Sequence, residues 1–111
     1  MKVTYTTKNH RLTAEIEGDS PRDVFESIAR FQEVFEENVC GKCGSENVKL
    51  VVRNVDDNFY YEVRCLGCGA RLSFGSHKKG GGLFPTRKDG EGNWVPDHGW
   101  VKWNPKTEKN E

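Results

Sequence analysis

Long apolar stretches are missing from this 111-residue chain, in which only 34% of residues are hydrophobic. No run approaches the roughly 18 apolar residues of a membrane-spanning helix, so a membrane protein is not expected. The opening MKVTYTTKNH lacks the apolar core of a secretory signal, so export is not expected either. Net charge is missing too, with 17 basic residues against 17 acidic ones. The common catalytic motifs are absent: there is no P-loop, no GxSxG, no HExxH and no paired acids in a polar motif. Asp97-His98 is an isolated pair in a Gly/Pro-rich loop. An enzyme is therefore not expected. No internal repeat is visible.

What is present begins with 12 glycines, 4 prolines and few long aliphatic side chains, which imply many turns around a small core. Small chains with so little apolar content need a staple. Four cysteines offer two disulfides or one metal site. Nothing points to an oxidising compartment, which favours metal.

Lys2–Thr7 and Arg11–Glu17 alternate apolar and polar residues, through Val3 and Tyr5 and then Leu12, Ala14 and Ile16. They read as two strands joined by a turn at Lys8-Asn9-His10. Ser20-Pro21 then sets a capping side chain before a proline, and Asp23 places negative charge in the first turn. Val24, Ile28, Phe31 and Phe35 recur at helical spacing, with Phe25 widening the stripe. The pattern predicts an amphipathic helix over 21–37 on the hairpin. Glu33, Glu36 and Glu37 read as a solvated end or a patch for a basic partner.

Cys40-x-x-Cys43 and Cys65-x-x-Cys68 follow, each with a glycine after its second cysteine and 21 residues between the inner pair. β-rich runs at Val48–Val55 and Phe59–Arg64 lie between them, joined by Asp56-Asp57-Asn58, and a third run spans Ala70–Phe74. This is the pattern of a zinc ribbon. Four thiolates leave no open coordination position, so a bound Zn²⁺ would be structural. Spacing alone leaves iron open. A redox CxxC would need a βαβ setting that is absent.

Charge is uneven along the chain. Residues 1–39 carry five basic and eight acidic side chains, and residues 40–79 carry seven and four. Arg71, Lys78, Lys79, Arg87 and Lys88 fall in a stretch, 71–88, without an acid. Phe74 and Phe84 flank His77 and three glycines there, a composition suited to a nucleic-acid backbone or to a flexible linker. His77 reads as a polar loop contact. All three tryptophans, Trp94, Trp100 and Trp103, follow within ten residues. At least one is expected in the core, and others offer stacking surfaces. The turn residues 89–93 predict a hairpin pairing Leu83–Arg87 with Trp94-Val95 or Gly99–Trp103.

The stretches CGKCGSENVKLVVR, YYEVRCLGCGARLSFGSHKKGG and LFPTRKDGEGNW…GWVKWNP resemble small zinc-ribbon proteins of phages and prophages, found among DNA replication and recombination genes. The resemblance implies single-stranded-DNA binding or a recombination accessory role, and a phage protein would act in the host cytoplasm. It carries over no catalytic residue.

The expected fold is α+β: an N-terminal ββα unit (1–39), a four-cysteine zinc ribbon (40–75), a basic loop with a Trp-rich hairpin (76–105) and a disordered tail (106–111). The expected metal ligands are Cys40, Cys43, Cys65 and Cys68. The expected contacts to single-stranded DNA, or RNA, are Arg71, Lys78, Lys79, Phe84, Arg87, Lys88, Trp100 and Trp103. The rival expectation is an adaptor that docks on a replication or transcription protein; zero net charge favours it. Edge pairing of the N-terminal hairpin would allow a homodimer.

Overall fold

Alternation along the first seventeen residues produces two strands, each burying one side. They are β1 (Lys2–Thr6) and β2 (Thr13–Glu17), antiparallel, with Val3 opposite Ile16 and Tyr5 opposite Ala14. The structure, a computed structural model, describes residues 1–111, which divide into two units, Met1–Asn38 and Val39–Glu111.

In the first unit the connection between strands is longer than the three-residue turn expected. Buried Thr7 bonds Leu12 through its backbone N–H (2.9 Å), and its hydroxyl accepts from the Leu12 N–H (3.2 Å). Leu12 is thereby held outside β2 and left exposed, against the alternation.

The helix α1 (Pro21–Phe35) starts as its cap demands: the Ser20 hydroxyl accepts from the Asp23 N–H at 3.2 Å, with Pro21 in the first turn. Val24 and Val34 are buried, and Ile28, Phe31 and Phe35 are half-buried. Phe25 does not widen the stripe. It lies about 100° around the helix from Val24 and is 76% exposed.

Tyr5 meets Phe31 edge-on, with centroids 5.7 Å apart, and Phe31 lies 4.6 Å from Phe35. Glu36 is not a freely solvated charge. It accepts from the Tyr5 hydroxyl at 2.6 Å and from the Lys8 N–H at 3.0 Å, tying the helix end to the hairpin. The bond to Glu36 raises the Tyr5 phenol above its ordinary 10.0.

The second unit is built on an antiparallel sheet in the order β3 (Val48–Val55), β4 (Asn58–Cys65), β5 (Arg71–Ser76), β6 (Leu83–Pro85). Asp56 and Asp57 both have positive φ, 51° and 66°. This is the two-residue turn whose twist suits a hairpin. Pairing therefore starts at Val55–Asn58 and places Arg53 opposite Tyr60, Val51 opposite Glu62 and Lys49 opposite Arg64.

Leu83–Pro85 does not form the expected hairpin with the tryptophan segment. It joins β5 as a fourth ribbon strand, with Phe84 opposite Gly75, so the ribbon sheet runs past residue 75. Of that hairpin there remain a bridge between Lys88 and Trp94 and bonds from the Val95 N–H to the Arg87 carbonyl (3.0 Å) and from the Asp89 N–H to the Asn93 carbonyl (2.8 Å). Val101 pairs with Arg71.

The C-terminal segment, expected as a disordered tail, carries a short strand pair. β7 (Trp103–Asn104) pairs with β8 (Lys109–Asn110), and Lys102 and Glu111 exchange two backbone bonds of 2.7 and 2.8 Å. One sheet face holds Val63 and Leu72 in a core with Cys40, Cys65, Ala70 and Trp100. By the period-2 alternation of the strands, the opposite face carries Lys49, Arg53, Tyr60, Glu62, Arg64 and Arg71. The whole is a small α+β fold. No helix is long and apolar enough to cross a membrane.

Candidate metal centre and basic sheet face

Each CxxCG segment closes the same loop. The N–H of Cys40 bonds the Ser45 carbonyl (2.9 Å), and that of Cys65 bonds the Ala70 carbonyl (2.8 Å). Gly44 and Gly69 return bonds to the carbonyls of Cys40 and Cys65, at φ 76° and 82°, a conformation that glycine adopts without strain. The turn aims two backbone donors at the first sulfur of each loop. Lys42 and Cys43 donate to Cys40 Sγ at 3.3 and 3.4 Å, and Gly67 and Cys68 donate to Cys65 Sγ at 3.3 and 3.4 Å.

The four sulfurs converge within 4.8 Å of one another, with Cys40–Cys68 at 3.7 Å and Cys43–Cys65 at 3.6 Å. A tetrahedron with metal–sulfur bonds of about 2.3 Å has sulfur–sulfur edges of about 3.8 Å. A disulfide would need about 2.05 Å, and all four cysteines are free. This donor set can hold a metal ion. The Cys68 N–H, with that of Gly67, outweighs burial and lowers the Cys65 thiol to about 6. For Cys43 the Ser45 backbone donor works downward, yet hydrogen bonding with the Cys65 sulfur, desolvation and the Cys68 and Cys40 sulfurs push it up to about 11. A cation among the four sulfurs would favour their thiolate forms.

Trp100 closes the centre from the core side and is 1% exposed. It is delivered by a turn in which Asp97, His98 and Gly99 have φ of 58°, 56° and 94°. The turn is held at both ends: Asp97 pairs with Lys42 of the first loop at 2.6 Å, and Arg87 donates to the His98 carbonyl. The Asp97 carboxylate and the His98 carbonyl thus help to hold the turn that delivers Trp100. Trp100 is corrected from a base-stacking residue to a core residue, because a buried indole offers no face to a ligand.

The other expected contacts stand as follows. Arg71 lies on β5, half-buried. Lys78 and Lys79 are exposed in the loop after β5, which is closed by a 2.8 Å bond from the His77 N–H to the Gly82 carbonyl. Phe84 is exposed and leans over Gly75, where a Cβ would come within 2.5 Å of its ring, and His77 lies 4.9 Å from it. Lys88 holds its ammonium 4.5 Å from the Trp94 ring centre, and Trp94 is 72% exposed. Arg87 and Trp94 also line an open cleft of about 490 Å³ with Gly41, Val95, Asp97 and His98. Trp103 is exposed on β7.

Sequence reasoning passed over Trp94, and also the face around Glu62, the only buried charged side chain. Glu62 Oε1 accepts from Arg53 Nε at 3.1 Å and from Arg64, and Arg71 Nε stands 3.8 Å from Oε2. Arg53 also lies over the Tyr60 ring, 5.2 Å from its centre. The turn at Asp56-Asp57 was the signal that could have found this face, since it sets the register that aligns these residues. Compared with protein-family models, curated proteins and solved structures, the chain finds no match.

Proposed function

We propose that this chain is a non-enzymatic zinc-ribbon protein that binds single-stranded nucleic acid, DNA foremost, with little sequence preference. Zinc is the ion that four thiolates in a closed tetrahedron suit best, and it would fix the scaffold rather than act on a substrate. The observation that carries the reading is the presence of exposed rings among cations: Lys88 lies over Trp94, and Phe84 meets His77 at the start of the loop that carries exposed Lys78 and Lys79. Basic grooves that track the backbone and rings that take bases are the general means of holding a single strand. The resemblance to phage zinc-ribbon proteins suggests replication or recombination as the setting, in the host cytoplasm. The test is titration of a labelled single-stranded 30-mer with zinc-loaded protein at two salt concentrations. Salt-sensitive, length-dependent binding is expected, and no binding at low salt ends the reading.

A second reading, a protein-interaction adaptor, is favoured by the exposed apolar side chains Leu50, Val52 and Phe59 along the β3–β4 hairpin. It takes over if the oligonucleotide is not bound.

A further inference from the structure

Burying one carboxylate in a sheet is costly unless cations surround it. Arg53, Arg64 and Arg71 do so around Glu62, whose side chain is 1% exposed, while theirs are 40%, 38% and 28% exposed. The carboxylate does not neutralise them. Three guanidinium groups over one acid leave an excess of two positive charges, and Lys49, opposite Arg64, adds another.

Geometry makes that excess usable. Arg53 and Arg71 approach Glu62 through Nε. Their terminal nitrogens, the fork that grips phosphate, are not the atoms engaged. Glu62 Oε2 accepts no hydrogen bond, so the carboxylate props the arginines from beneath without saturating them. Phe84, leaning over Gly75, stands on the same face, since Gly75 follows Arg71 and Ser73 at period two.

We infer that this sheet face, with Arg53, Arg64 and Arg71 propped on Glu62, is the site that takes the phosphodiester backbone of the bound strand. The inference rests on the single-strand reading and moves its main phosphate contacts from the loop lysines to the sheet. Glu62 is a positioning residue there, since it holds the arginines without touching the strand.

Two variants test it on the zinc-loaded full chain, with dT and U 30-mers as probes. Arg53→Gln/Glu62→Gln/Arg64→Gln removes two cations together with the buried charge that needs them. The log–log salt slope should flatten by about 1.4, at about 0.7 per lost single-strand contact, on both oligonucleotides. Arg53→Lys/Arg64→Lys keeps Glu62 faced by cations but removes the forks. It should keep the slope and weaken binding about tenfold on both probes. If the triple variant loses its metal or its fold, the lysine variant decides. Wild-type affinity and slope in the arginine variants, with weaker binding in Lys78→Ala/Lys79→Ala, overturn the inference and leave the single-strand reading intact. Failure of the wild type to bind either 30-mer, or binding of an acidic peptide instead, overturns both.

Discussion

The Trp100 indole lies directly against Gly41: a Cβ on Gly41 would stand 2.5 Å from the ring Cδ1 and 2.6 Å from the Asp97 carbonyl oxygen. The first cysteine loop and the tryptophan that closes the core are therefore one packed body. Gly41→Ala should force the ring or the loop aside, costing about 1–3 kcal/mol as overpacking does. The expected outcome is a lower Tm together with faster loss of metal to a chelator. An unchanged Tm would mean that the loop and the indole are not in contact.

Chelation should act on the same body. Binding of a structural zinc is worth about 10–16 kcal/mol in finger peptides, more than the whole stability of many small domains. Removing the ion leaves four crowded thiols beneath Trp100, so the indole emission should shift to the red and the near-ultraviolet circular dichroism should collapse. Native mass spectrometry before chelation should find one metal ion per chain. Two disulfides in its place would sink this expectation.

In the N-terminal unit, Phe31 is held between Tyr5 and Phe35. Phe31→Asp would lose those contacts and set a carboxylate among rings, for a cost of about 2–4 kcal/mol. Glu33→Gln, at an exposed position, should be nearly neutral. Glu36→Gln should fall between them because it weakens the bonds from Tyr5 and Lys8. Thermal melts that place all three variants together would contradict this packing.

The cysteine cluster and the main strands were legible because their signals are local. CxxCG spacing needs no knowledge of the rest of the chain, and Val48–Val55 begins and ends where composition says it should. Leu83–Pro85 was not legible as a ribbon strand, since three residues ending in proline carry no periodicity. The tryptophans could be counted but not ranked: what buries Trp100 and exposes Trp94 is a turn of three positive-φ residues, two of them not glycine. Glu62 looked like one more strand charge, and only its register beside three arginines sets it apart.

The Tyr5 phenol gives a pH test. Its bond to Glu36 raises the folded pKa, so the protonated form is the one that folding favours. That contribution is fully present below the ordinary value near 10.0 and is lost as pH rises through the higher folded value. Tyrosinate absorbance should show one residue ionising late, and Tyr5→Phe should remove that late step. Glu36→Gln should bring the step back toward the ordinary value.

The tryptophans separate stability from binding. Trp94 and Trp103 are exposed, whereas Trp100 is enclosed among Cys40, Val63, Cys65, Ala70 and Leu72. Trp100→Ala should cost about 3–5 kcal/mol, as large aromatic truncations in cores do, and should weaken metal retention. Trp94→Ala should change stability by no more than about 0.5 kcal/mol, as surface changes do. If its ring takes a base, the same change should weaken single-strand binding by about 1–3 kcal/mol. Because no charge is removed, the salt slope should stay as in the wild type, whereas Lys78→Ala/Lys79→Ala should flatten it wherever those lysines meet phosphate. Oligonucleotide should quench the emission of Trp94 and leave that of Trp100 unchanged. Quenching confined to Trp100, or a Trp94→Ala variant that melts early and binds normally, would reverse the roles assigned to these two rings.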